Sequence, residues 1–486
     1  MKKSILAICG IIAAVCFTGC KKSSTDPVPD PQGNLSDILF ENGKQLGNGD
    51  AEFEVKGTYT LPKGTYSMKG WIYICDGAQL TIQPGTVIKG DKATKAALIV
   101  ERGGKLIAQG TATEPIVFTS AQPAGSRHPG DWGGIIICGK ARNNQGEMII
   151  EGGPRSKHGG NDDQDNSGVL SYVRCEFAGY PFATDQEING VTFGSVGAGT
   201  KIDHVQVSYS NDDSFEWFGG SVNCKYLIAY KGWDDEFDTD DGFSGHVQFC
   251  LGVRDPKIAD QSLSNGFESD GNANGTTATP MTSCIFSNIT FIGPIGQDAA
   301  FANTTTYIDG GGLNPQNGSR LGFFQAAMQI RRNSNLSCFN SVAIGFPVGI
   351  LIENDKGSAT QTAATNGKLK ISNVYFVGMG VLGSDKNKNF TDHFTDKAGT
   401  PDDTKESFSA SYFKSIASNK VYSAISDLKL SGSYAPTAGS PLLNSASFTD
   451  PMVATGFDKV PYIGAFSSND TWTASWTNFD PQHTQY

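Results

Sequence analysis

Between Asp203 and Asp270 the chain carries acids at a spacing that repeats. A step of 22 residues takes Asp212 to Asp234, Asp213 to Asp235 and Glu216 to Asp238, and it takes Phe215 to Phe237 with them. One step on, with 255–262 as an inserted loop, Phe267-Glu268-Ser269-Asp270 falls on Phe237-Asp238-Thr239-Asp240. Glu216, Asp238 and Glu268 then form one column, and Asp240 and Asp270 a second. Carboxylates on adjacent turns about 5 Å apart repel by roughly 3 kcal/mol at an effective dielectric near 20. Lys225 and Lys231 are the only lysines or arginines between Asp203 and Asp241, so relief must come from protonation or from a bound cation. Hard oxygen ligands favour Ca²⁺, which takes 6–8 of them. Two other arrangements compete: a solvated acidic face with splayed side chains, and a carboxylate pair acting as glycosidase acid and base.

Aromatic residues interleave with these acids: Trp217, Phe218, Trp233, Phe237 and Phe243. An exposed Trp217 or Trp233 would offer a flat ring to the C–H face of a sugar, whereas Phe215 and Phe237 are expected to stack inside the coil. Glu216, Glu268 and Asp270 join the two tryptophans as expected ligand-binding residues. A lyase would need a base on the same face, and Arg254 and Lys257, in Val253-Arg254-Asp255-Pro256-Lys257, are the nearby candidates. His128, His158, His204 and His246 show no metal-ligand spacing and are expected to be structural. Gly152-Gly153-Pro154 lacks the Lys-Ser/Thr of a phosphate loop, and no nucleophile elbow occurs, so nucleotide binding and serine hydrolysis are excluded.

The acids need elements that repeat as they do. Gly77–Thr86 recurs loosely at Gly104–Thr111, about 26 residues on. Ile202–Val207 aligns with Cys224–Ala229 and again with His246–Leu251, in steps of 22. Short apolar β-type runs between Gly, Asn and Asp turns, at a period in the low twenties, predict an all-β solenoid: a right-handed parallel β-helix whose stacked coils share one core. The chain has 59 glycines in 486 residues, about 12% against an average near 7%, as corners needing positive φ require. Seven cysteines beyond residue 20 lie mostly in apolar runs and are expected as core thiols rather than disulfides. Loop insertions are expected over 140–200, the β-helix over 51–383, and C-terminal coils with a short, partly helical cap over 384–486. Phe408, Tyr412, Phe413 and Ile416 have the spacing for that cap. A formal charge of -11 excludes a phosphate-binding surface, hence nucleic acid as a partner.

Residues 1–19 carry Lys2, Lys3 and a short apolar run to Phe17, the pattern of a secretory signal. Phe17-Thr18-Gly19-Cys20 resembles the lipobox of bacterial lipoproteins. That resemblance implies acylation of Cys20, a lipid anchor to a membrane, and a flexible tether within 20–50, rich in proline at Pro27, Pro29 and Pro31. The start is similar to those of Bacteroidetes-type outer-membrane or cell-surface lipoproteins. The stretch Trp71–Cys138, with Pro115-Ile116-Val117-Phe118-Thr119-Ser120 and Trp132-Gly133-Gly134-Ile135, resembles an uncharacterised family of bacterial surface β-helix lipoproteins. The acids resemble the calcium cluster of one family of β-helix pectate lyases. Carried across, that resemblance implies Asp212 or Asp213, with Asp234, Asp235 and Asp238, as Ca²⁺ ligands; the family's catalytic lysine has no evident counterpart here. Two functions are thus expected to compete. One is an exported module that binds polysaccharide on a calcium-stabilised acidic face; the other is a calcium-dependent lyase or a glycoside hydrolase.

Overall fold

A computed structural model describes residues 32–486 apart from 184, 185 and 316. The expected signal segment 1–19, Cys20 and the tether as far as residue 31 lie outside the described residues. From there the chain winds as a right-handed parallel β-helix. The first coils have three strands each, for example Gln79–Ile82, Val87–Gly90 and Ala97–Val100, followed by Lys105–Gln109, Ile116–Ser120 and Ile135–Cys138. Like stacks on like in parallel register, Leu80 on Leu106 and Ile99 on Ile136. At Gly168–Glu176 the first two strands of the coil fuse. Its front half pairs with 106–109, its back half with 116–118, and Tyr172 bends the chain between them.

That bend recurs in the next six coils. Register places Tyr172, His204, Tyr226, Phe249, Asn288, Asn340 and Asn373 in one row, each with φ between 49° and 61°. Only three of the seven are asparagines and none is glycine. A ring at positive φ costs on the order of 1–2 kcal/mol. Stacking along the row offsets it: ring centroids lie 4.2 Å apart for Tyr172–His204, 4.4 Å for His204–Tyr226 and 5.0 Å for Tyr226–Phe249.

The second long sheet has 11 strands among the described residues, all parallel, from Phe53–Val55 to Val381–Ser384. Alternate residues point inward, and the middle of the core is a pile of rings: Trp217 stacks on Phe193 at 5.4 Å and on Phe243 at 5.2 Å, and Phe215 on Phe237 at 5.6 Å. The seven cysteines beyond residue 20 are free and buried, as expected.

Several boundaries differ from the expectation. The tether expected over 20–50 overlaps the first coil: Gln45–Leu46 already pairs with the strand at Ser67–Met68, and Ile38 and Leu46 are buried, because apolar side chains here can join the core. Within 140–200, Gly168–Glu176 and Val191–Gly194 are coil strands rather than insertion. The second 22-residue step slips by one, since Cys224 pairs with Val247 and not His246; the corner at Gly242 to Gly245 holds the extra residue. The helix Phe408–Ser415, capped by the Ser407 side chain on the Ala410 N–H, lays Phe413 on Phe376 at 4.4 Å and closes the core. The chain then runs back outside the first sheet. Asn340 donates to the Ser447 carbonyl, Asn288 to that of Tyr462, Gln206 to that of Asn478, and the Tyr486 hydroxyl to Glu176. No helix among the described residues is long and apolar enough to cross a membrane.

Candidate metal centre

The acids stand where the 22-residue step puts them. Phe215, Phe237 and Phe267 stack in register, and so do Glu216, Asp238 and Glu268. The strands alternate, so the phenylalanines and Trp217 face the core while Glu216, Asp238, Asp240 and Glu268 share the outer face. Three groups of carboxylates each have oxygens within 4.8 Å of one another: Asp212, Asp213 and Asp234; Asp213, Glu216 and Asp238; Asp235, Asp238 and Glu268. Two oxygens on one Ca²⁺ lie at most about 5 Å apart, twice the 2.3–2.6 Å bond. The groups overlap through Asp213 and Asp238, so seven acids make one continuous patch. Every donor is a carboxylate oxygen, a set that suits Ca²⁺ or Mg²⁺ rather than zinc or copper.

The corner before the second sheet sets the geometry. The Asn189 side-chain amide oxygen accepts the Asp213 N–H at 3.2 Å, and the Asp213 carboxylate accepts the Asp235 N–H at 2.8 Å. Asp235 in turn accepts from Asn265 N–H, and Asn265 from Ala326 N–H at 3.0 Å. This is a ladder of side chains, each holding the backbone of the next coil. Asparagine at both ends shows that a neutral amide makes such a rung. Aspartate in the two middle rungs does the same and adds charge beside Asp212, Asp234 and Glu216, with one further oxygen on each left for another partner.

Burial raises these acids well above the usual carboxylate range, and the neighbouring charges add to it; this holds for Asp212, Asp213, Glu216, Asp234, Asp235 and Asp238. Burial likewise pushes Asp241 up to about 6, with Asp270 adding to the rise. Among the described residues, direct ion pairing reaches only the downstream end. Arg331 follows Ile330, which continues the column below Ser269, and its guanidinium grips Asp270 at 2.8 Å and 3.2 Å and also binds Glu268. Arg332 takes Asp270 as well. Among the described residues, no lysine or arginine forms an ion pair with the six upstream acids. Asp234 and Asp238 each keep one buried oxygen with no hydrogen-bond partner. A buried, unpartnered carboxylate oxygen is costly unless something positive meets it.

Several expected site residues lie elsewhere. Trp217 and Trp233 are both fully buried, so neither is a sugar platform. Trp217 fills the core because it occupies an inward position, and Trp233 is packed under the corner. Arg254 is no base on the acidic face: it is buried, paired with Glu236 at 3.1 Å, and donates to the carbonyls of Trp233 (3.2 Å) and Asp234. It clamps from behind the turn that presents Asp234 and Asp235. Lys257 points into the 298–313 loop, donating to the Tyr307 carbonyl at 3.1 Å with its ammonium 3.9 Å from that ring. Asp270 belongs to the arginines rather than to any of the three oxygen groups. Arg331, Arg332, Asn189 and Asn265 were not singled out from the sequence. Arg331 was findable in principle, one coil past Asp270, but 60 residues of insertion and strand hide the register.

A family model described as pectate-lyase like beta helix domain matches residues 54–420. Among solved structures, the crystal structure of pectate lyase Pel9A is similar over 85% of this chain and 88% of that chain, at 14% sequence identity and a TM-score of 0.36. No curated protein matches the chain.

Proposed function

The chain belongs to the family of pectate-lyase-like β-helix domains, and from that premise we propose that it is an exported module whose acidic face holds calcium and, through it, an anionic polysaccharide. One observation carries this reading: six buried or partly buried carboxylates on successive coils form no ion pair with a described lysine or arginine, while the next two acids down the same face have Arg331 and Arg332. The residues fit the ion. Asp213, Glu216 and Asp238 would form its centre, Asp234 and Asp235 the corner side, and Asp212 and Glu268 the rim. A bound Ca²⁺ would supply a positive charge in a wall that otherwise repels uronates. Acylation at Cys20 would tether the module to an outer membrane or cell surface, in keeping with the lipobox-like start.

Binding is favoured over lyase action by the absence of a base among the described side chains of the acidic face. Arg331 pairs with acids of this face, and its bonds to Glu268 and Asp270 hold it protonated far above neutrality. Lys257 is engaged in the loop. The test is calorimetric titration of the full chain with polygalacturonate, with calcium and with EDTA, alongside an ultraviolet assay for unsaturated products. Binding that needs calcium, with no product, is expected. Steady release of unsaturated product would establish the lyase instead, and binding indifferent to EDTA would overturn the calcium reading.

A further inference from the structure

Upstream of the acids, an insertion folds over the outer face of the second sheet. Its antiparallel hairpin, Met148–Ile149 against Lys157–His158, packs Ile150 into an apolar cluster with Tyr73, Ile99, Ile136 and Phe218. Beneath the hairpin lies a cavity of about 580 Å³, lined by Ile149, Glu151, Pro154, Arg155, His158 and Phe218 among others. That volume falls within the range of small-molecule sites, about 300–1,000 Å³. Phe218 forms part of its wall and stands two residues after Glu216 on the same outer row, about 7 Å along the strand. Glu151, also in the lining, acts electrostatically on Glu216. The cavity therefore opens beside the acidic patch, within reach of the next unit of a polymer held there.

The cavity's chemistry differs from that of the patch. Ile149 is 62% exposed, the most exposed large hydrophobic side chain among the described residues. Arg155, the cation in the lining, is already committed: it donates to Glu52 at 2.9 Å, Glu54 at 2.7 Å and Glu101 at 3.2 Å, and lies 4.5 Å over the Tyr73 ring. His158 is buried against the Ser195 hydroxyl at 2.9 Å, and burial lowers it to about 4, so it is neutral at ordinary pH. A free uronate here would find no unclaimed cation. An uncharged unit would meet Ile149, Pro154 and Phe218.

Resting on the calcium reading above, we propose that this cavity is a subsite for an uncharged sugar unit bearing an apolar group, such as a methyl ester or an acetyl, beside an anionic unit held at the cation. The preferred polymer then alternates or mixes charged and neutral units rather than being uniformly anionic. The calcium-loaded full chain is titrated with de-esterified polygalacturonate and with a half methyl-esterified sample of the same length. Tighter binding of the half-esterified polymer is expected, about tenfold, the scale of one apolar group in a fitted pocket. Ile149→Glu, or the milder Ile149→Ser, should abolish that preference while the calcium-induced rise in melting temperature persists. Equal or tighter binding of the de-esterified polymer would overturn the subsite alone. So would a preference that survives in both folded variants. A melting temperature indifferent to calcium would overturn the cation reading itself, which separates the two failures.

Discussion

Asp238 is the carboxylate to perturb, because it belongs to two of the three oxygen groups and keeps a buried oxygen with no hydrogen-bond partner. With oxygens within 4.8 Å, each ionised neighbour opposes it by at least about 3.5 kcal/mol at an effective dielectric near 20. Partial protonation already relieves much of that strain, so replacing Asp238 by the isosteric asparagine should return only about 1–2 kcal/mol in chelator. The new amide can also donate to Asp213 or Glu268. For a chain of this size that is a rise in melting temperature of about 1–2 °C. Calcium at a hundred times its dissociation constant should stabilise the unsubstituted protein by about 2.7 kcal/mol. Asp238→Asn, stripped of a shared ligand, should lose more than half of that gain. Scanning calorimetry in EDTA and in calcium reads both effects from one pair of melts. A variant that melts lower in EDTA yet keeps its full calcium response would refute the reasoning, since Asp238 would then be a structural acceptor and not a ligand.

The same patch fixes a pH dependence. Its acids are raised in the folded state, so in chelator they contribute stability present below about pH 4 and lost as pH rises through their elevated values, with Asp241 at about 6. The melting temperature in EDTA should therefore fall from pH 5 to pH 8; in calcium, which competes with protons, it should hold or rise, and identical profiles would count against a shared site. Arg331→Met should cost about 3–5 kcal/mol in urea unfolding, by leaving Glu268 and Asp270 buried with less counter-charge. Calcium should recover part of it through Glu268, whereas a loss unaffected by calcium would separate the arginine from the patch. Trp217→Ala should cost about 3–5 kcal/mol of stability as a core deletion, with glycan affinity of the folded protein unchanged; a selective loss of affinity would restore the platform idea.

The column of acids was legible because each coil repeats the one before it, so the step that aligns Phe215 with Phe237 aligns Glu216 with Asp238. Side-chain direction was harder to read. Trp217 sits between two outward residues, so strict alternation sends it to the core; the density of aromatics around the acids suggested a surface instead. Closeness in sequence puts Arg254 and Lys257 beside the acids, yet a corner turns the chain between Val253 and Phe267 and carries one inside and the other into a loop. Insertions hid Arg331 and Arg332, whose closeness to Asp270 exists only across a coil boundary. The bends at Tyr172, His204 and Tyr226 escaped because rings at positive φ leave no glycine to mark them.

The returning C-terminal segment alters how such a molecule holds together. Stacked coils touch only their neighbours, so each end of a solenoid can unravel without consulting the middle. Here hydrogen bonds join Gln206 to Asn478, Asn288 to Tyr462 and Asn340 to Ser447, lacing rungs far apart in sequence to one continuous backing strip. Fraying at one rung must then peel the strip from others, which should sharpen unfolding toward a single event. The strip also occupies the outside of the first sheet, so the acid-bearing second sheet is the one it leaves uncovered.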